Sequence, residues 1–233
     1  MIQTLLRTGE DMLHLIYPVL CVGCKDPLPN SNDAICGQCL SQLPETCFAK
    51  FNNNPAEKML HGRIPFESIF SEYYFHKSKI IQHVLHALKY RQKKQLGNLL
   101  GKKMGETIQC SSRFNNIDCL IPVPMHPKKI KKRGYNQAMI LAKGISEVTG
   151  IPIMEGLKKI NQTATQTKKG KLDRWLNMQE KFVRNESVCL NDLHVLLVDD
   201  VLTTGATLEA CAQALKVVPN IRISISTLAF AEL

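Results

Sequence analysis

The stretch HVLLVDDVLTTGATLEA, residues 194–210, constrains this chain more than any other. Val195 to Val198 form a short apolar run of the kind found in a strand buried on both faces. Two carboxylates, Asp199 and Asp200, stand at its carboxyl end, and Thr203, Thr204, Gly205, Ala206 and Thr207 lead into a helical pattern over 206–217. Strand, tight loop and helix in that order make one unit of a parallel sheet, and such sheets bind ligands beyond the carboxyl ends of their strands. Unpaired N–H groups and the dipole at a helix N-terminus favour an anion. Gly205 permits close backbone approach, and the threonines add hydroxyl donors. The junction therefore offers donors to a phosphate and, beside them, acceptors for hydroxyls, the two groups of a ribose 5-phosphate. A P-loop is excluded, because no G-x-x-x-x-G-K-[ST] occurs.

The rest of the chain repeats the alternation. Strands are expected at 68–75, 118–124, 151–154, 180–185 and 222–230, and helices at 78–89, 95–107 and 136–148. This pattern predicts an α/β fold with a mostly parallel sheet and helices on both faces. An amphipathic helix is expected over 2–16, ended by Pro18. FNNNPAEKMLHG, 51–62, is polar and turn-rich and reads as a linker between an N-terminal part, 1–50, and an α/β domain, 63–233.

Within the N-terminal part, Cys21-x-x-Cys24 and Cys36-x-x-Cys39 are separated by residues 25–35. Two such knuckles can aim four thiolates at one tetrahedral ion, the spacing of a four-cysteine zinc ribbon. Four cysteines leave no open coordination position, so the zinc is expected to be structural. Cys47 is a weaker candidate ligand. Cys110, Cys119, Cys189 and Cys211 are scattered, as buried free thiols usually are.

Thirty Lys plus Arg against twenty Asp plus Glu give a net charge of +10. Phosphates, nucleotides, nucleic acid and anionic membranes are the partners such a balance attracts. The most apolar early stretch, 12–22, is too short to span a bilayer and is interrupted by His14 and Pro18, so no membrane insertion is expected. Glu10 and Asp11 just before it argue against a secretion signal, and a cytoplasmic setting is expected. HPKKIKKRGYNQ, 126–137, carries five basic side chains within 128–133. Three readings stay open: a solvated charge run, a site for a second phosphate group, or a nucleic-acid track on which Tyr135 stacks a base. NQTATQTKKGKLDRWLN, 161–177, is polar and basic and reads as a flexible loop.

VLLVDDVLTTGATL resembles the phosphoribosyl-pyrophosphate (PRPP) signature of type I phosphoribosyltransferases. With the cysteine module, LKY at 88–90, IPVPMHPKKIKKRGYNQA at 121–138, and Thr163, Gln166, Arg174 and Asn177, the chain is similar along nearly its whole length to the ComF family. The resemblance implies a type I phosphoribosyltransferase-like fold carrying a small N-terminal zinc module. It implies PRPP contacts from Asp199, Asp200, Val201, Thr203, Thr204, Gly205, Ala206 and Thr207, and pyrophosphate contacts from Lys132 and Arg133. Asp199, Asp200 and Arg133 would carry any transfer chemistry, with Mg2+ accompanying PRPP and the 161–177 loop closing over the sugar. It also implies a role in natural transformation, with single-stranded DNA and proteins of the competence machinery as partners. Where the family pattern leads us to expect an arginine close to Thr163, this chain has KKINQ at 158–162, and Lys158 or Lys159 takes that place. Three functions fit these residues: a PRPP-dependent protein of DNA uptake, a PRPP-responsive binding module without catalysis, and a salvage transferase unrelated to DNA.

Overall fold

The computed structural model describes residues 18–30, 32–90, 93–160 and 181–232. The helix expected at 2–16 and the loop expected at 161–177 lie outside the described residues.

Four parallel strands make the central sheet: β1 (Ile69–Tyr74), β2 (Cys119–Pro122), β5 (His194–Leu202) and β6 (Arg222–Phe230), in the spatial order β1-β6-β5-β2. Val195 to Val198 are fully buried, as the unbroken apolar run requires. Helices α3 (Lys79–Tyr90), α4 (Lys94–Gln109), α6 (Gln137–Thr149) and α7 (Ala206–Leu215) follow the expected helical patterns. Helices α4 and α6 cross almost backbone to backbone: a Cβ on Gly101 would lie 2.3 Å from the Leu141 carbonyl oxygen. The fold is thus α/β, with a parallel sheet, flanking helices and a cysteine-rich N-terminal part.

Three local expectations are corrected. The strand expected at 151–154 is a single parallel bridge, Leu120 to Ile153, with Leu120 N–H bonded to Pro152 and Met154 N–H to Leu120. The ordered strand nearby is β3 (Leu157–Ile160), antiparallel to β4 (Lys181–Arg184). It holds four residues, two of them lysines, too little apolar pattern to read. The basic segment 126–137, for which no helix is expected, contains one, α5 (Pro127–Arg133). Pro127 at its first position and Gly134 in the left-handed conformation just past its end are the start and stop such a helix needs. It buries no side chain, so it shows no amphipathic period. The polar stretch 51–62 contains helix α2 (Pro55–Leu60), with Ala56 and Leu60 fully buried. Its polar residues find partners inside: the Asn54 side chain caps α2 and donates to the Ile69 carbonyl at 2.8 Å, and Glu57 accepts from Ile69 N–H at 3.2 Å and pairs with Arg113.

Candidate functional site

The register of the sheet opens the site. The last partner of β2 is Val198, whereas β5 stays paired with β6 as far as Leu202. From Asp199 onward β5 therefore has a free edge, and a cleft of about 250 Å³ lies against it. Asp199, Asp200, Val201, Thr203 and Thr207 line one side. Lys89 from the end of α3, Lys129 and Arg133 from α5, and Lys159 from β3 also line the cleft, together with residues 123–125 and 136–138. Four cations around two carboxylates suit a polyanion that also carries hydroxyls.

The carboxylate pair is strongly perturbed. Burial and the neighbouring charge of Asp200 push Asp199 up to about 8, although the Asp200 N–H, Lys89 and Lys159 pull the other way. That N–H donates to Asp199 Oδ1 at 2.9 Å. Lys89 Nζ lies 3.5 Å from Asp200 Oδ2. Asp199 therefore holds its proton more tightly than an ordinary carboxyl does.

The loop that follows is fixed from behind. Gly205 has φ +77°, and a Cβ there would sit 2.3 Å from Leu60 Cδ2 at the end of α2. Only glycine meets both demands without strain. Arg63 donates from Nη1 to the Thr204 carbonyl at 2.7 Å, and from Nε and Nη2 to Glu209 Oε2 at 3.1 and 2.6 Å. This clamp ties the loop to the first turn of α7. The leading N–H groups of α7 have no partners within the helix, and Thr203, Thr204, Ala206 and Thr207 are exposed beside them.

The structure redistributes the basic residues. Lys129 and Arg133 stand one turn apart and share the cleft face of α5. Lys132 is exposed and is not among the residues lining the cleft. Of the two lysines weighed before Thr163, Lys159 lines the cleft and Lys158 is exposed. Lys89 and Arg63 were missed from sequence as site residues, and Lys129 was named only within the basic run 128–133. Lys89 was visible only as the centre of LKY, and Lys129 only once 127–133 is known to be helical. Arg63 carries no local signal at all.

RGYNQ gains a physical reason. Tyr135, a stacking surface in one of the three readings of its segment, is buried; its hydroxyl donates to the Leu88 carbonyl at 2.6 Å, and Gln137 Nε2 donates to the same oxygen at 3.2 Å. Asn136 caps α6 and donates to the Val123 carbonyl at 2.9 Å. The motif bolts the end of α3, and with it Lys89, to the end of β2.

The cysteines converge as their spacing predicts. The Sγ atoms of Cys21, Cys24, Cys36 and Cys39 all lie within 4.8 Å of one another, and Cys24 and Cys36 are 3.9 Å apart. Tetrahedral thiolates around zinc would be about 3.8 Å apart, from a Zn–S bond of about 2.3 Å, so the four can hold a metal ion such as zinc. Burial pushes Cys21 up, but N–H groups of Cys36, Cys24 and Gly23 outweigh it and bring the thiol to about 6. Cys47 is exposed and outside the cluster. The module rests on α3: a Cβ on Gly23 would lie 3.2 Å from Ile80 Cγ2.

No helix among the described residues is long and apolar enough to cross a membrane. A scan against protein-family models matches none. Similar proteins do exist. Competence protein F of Haemophilus influenzae is 28% identical over 215 residues, covering 88% of this chain and 87% of that protein. The DNA utilization protein YhgH of Salmonella typhimurium is 24% identical, covering 86% of this chain and 92% of that protein. Competence protein ComFC of Bacillus subtilis is 32% identical over 96 residues, 41% of this chain and 37% of that protein. Among solved structures, the Bacillus subtilis glutamine PRPP amidotransferase complexed with ADP and GMP gives a TM-score of 0.35 at 22% identity, over 55% of this chain and 25% of that one. A hypothetical protein from Neisseria gonorrhoeae with bound ppGpp gives 0.37 at 16%, over 57% and 66%. Likenesses that loose do not by themselves establish a shared fold. By sequence, the chain is a homologue of Competence protein F and of the YhgH proteins along most of its length.

Proposed function

We propose that the cleft binds PRPP and that the protein serves the handling of imported DNA in natural transformation. One observation carries the reading of the cleft. Asp199 and Asp200 stand at the free edge of β5, a left-handed Gly205 opens α7 just beyond them, and Lys89, Lys129, Arg133 and Lys159 line the same cleft of about 250 Å³. In this reading the two aspartates hold the ribose hydroxyls. The loop 203–207 holds the 5-phosphate on N–H groups at the start of α7. Lys129 and Arg133 face the pyrophosphate, and Lys89 fixes Asp200. Mg2+, when bound, would supply further neutralisation of the pyrophosphate charge. Should transfer occur, Asp199 and Asp200 would also stabilise the cationic sugar. The cysteine module would hold zinc and serve as a structural staple. Relatives named for competence and DNA utilization support the cellular role, as does the +10 charge, which favours single-stranded DNA as a second ligand; a cytoplasmic setting belongs to the same proposal.

The test is calorimetric titration of the intact protein with PRPP and Mg2+, with and without a single-stranded oligonucleotide. Saturable PRPP binding near one site per chain is expected. A folded, metal-loaded preparation that takes up no PRPP in either condition would defeat the reading.

A further inference from the structure

Tyr90 is the most exposed large aromatic side chain among the described residues, at 57%. A lone exposed tyrosine is ordinary. The setting of this one is not. It follows Lys89, which reaches Asp200 at 3.5 Å. Arg133, a lining residue of the cleft, holds its guanidinium 5.8 Å from the Tyr90 ring centre. The His86 ring lies 4.8 Å away with its plane tilted by 41°. The backbone beneath is pinned, because Tyr135 and Gln137, both buried, donate hydrogen bonds of 2.6 and 3.2 Å to the Leu88 carbonyl. A solvent-facing aromatic ring thus stands beside a guanidinium at the rim of a site rich in phosphate-binding groups. Base–aromatic stacking needs an accessible π-face and a nearby backbone path of cations. Lys128, Lys131 and Lys132 lie exposed on α5 to supply that path.

We propose that Tyr90 is a nucleobase-stacking platform at the mouth of the cleft, extended by His86 and flanked by Arg133. The base comes either from single-stranded DNA or from a free nucleobase beside the bound sugar; the recognition chemistry is the same. The inference rests on the cleft being a nucleotide site, but the first arm of its test does not require PRPP to bind.

The experiment compares a labelled thymidylate 12-mer with an abasic 12-mer bearing the same phosphates, by fluorescence anisotropy. Wild type should prefer the thymidylate strand by about tenfold, the range for one stacked base. Tyr90→Ala should erase that preference and leave abasic affinity unchanged, while Tyr90→Phe keeps it. A second arm titrates adenine and uracil into protein saturated with PRPP. Binding there that Tyr90→Ala abolishes, with no thymidylate preference in wild type, assigns the platform to a free base. The proposal is overturned if Tyr90→Ala retains both behaviours, or if wild type shows neither. PRPP affinity should be the same in Tyr90→Ala as in wild type. A wild type that binds no PRPP, yet keeps a Tyr90-dependent preference for bases, would sink the PRPP reading and leave this one standing.

Discussion

Replacing Gly205 by alanine probes the junction between α2 and the loop more sharply than any change inside the cleft. Two penalties arise. A left-handed φ of +77° strains an L-residue by about 1–2 kcal/mol. The new methyl also meets Leu60 Cδ2 at 2.3 Å and Leu60 Cγ at 3.4 Å. Leu60 is fully buried and has little room to yield, so overpacking should cost a further 1–3 kcal/mol or so. The single variant should lose about 2–5 kcal/mol of unfolding free energy. Leu60→Ala alone should lose a similar amount, through a cavity. Together they should not add. With the leucine gone, the clash disappears and the methyl of residue 205 fills part of the space, so the backbone strain and the remaining cavity cost are what is left. A favourable coupling of about 1–3 kcal/mol is expected, read from urea denaturation of wild type, both single variants and the double variant. PRPP affinity should fall in Gly205→Ala and recover in part in the double variant. Additivity within about 0.5 kcal/mol would show that the loop is not seated on Leu60, and the account of its shape would fail.

Cys21→Ser should lower bound zinc from about one per chain to near zero in elemental analysis and lower the thermal midpoint; a metal-free wild type with an unchanged midpoint would contradict this. Asp199 is held near 8 in the folded chain against about 3.9 when unfolded, so between those values the native state binds the extra proton. Its contribution to stability must fall as pH rises through that window; Asp199→Asn should remove the decline in urea titrations from pH 5 to 9, and an unaltered slope would refute the assignment. The two faces of α5 should separate by ligand. Lys131→Ala with Lys132→Ala should weaken single-stranded DNA and reduce its log–log salt slope by about 0.7 for each phosphate no longer neutralised, sparing PRPP, whereas Lys129→Ala with Arg133→Ala should weaken PRPP; the reverse pattern would contradict the helical placement.

What the sequence revealed, and what it hid, divides by range. Strand β5, its acids and the loop after it were legible because their chemistry is contiguous: burial, charge and helix onset are written within 194–210. The four cysteines were legible because metal geometry fixes their spacing. Helix α5 was not, since it packs no face against the core and its lysines suggested only a charge run. The burial of Tyr135 was hidden for a related reason: nothing near it in the chain announces that Leu88, far off in sequence, offers a carbonyl to its hydroxyl. Arg63, Lys89 and Lys159 come to the site from separate elements, and only the folded chain brings them within reach of 199–207. The polar residues of 51–62 suggested solvent, yet Asn54 and Glu57 are buried because their partners are backbone groups of β1 and a guanidinium.

The most direct measurement is the affinity of PRPP with Mg2+ for Asp199→Asn/Asp200→Asn beside wild type, by calorimetry, with the folding of both checked by denaturation. Weakening the hydrogen bonds to two ribose hydroxyls should cost about 1–3 kcal/mol, or roughly tenfold to a hundredfold in Kd. The double variant should fold at least as stably as wild type, because neutral amides relieve the repulsion that lifts Asp199. Weaker binding in a stable protein is the predicted result; equal affinity in the two proteins would contradict the claim that these carboxylates hold the sugar.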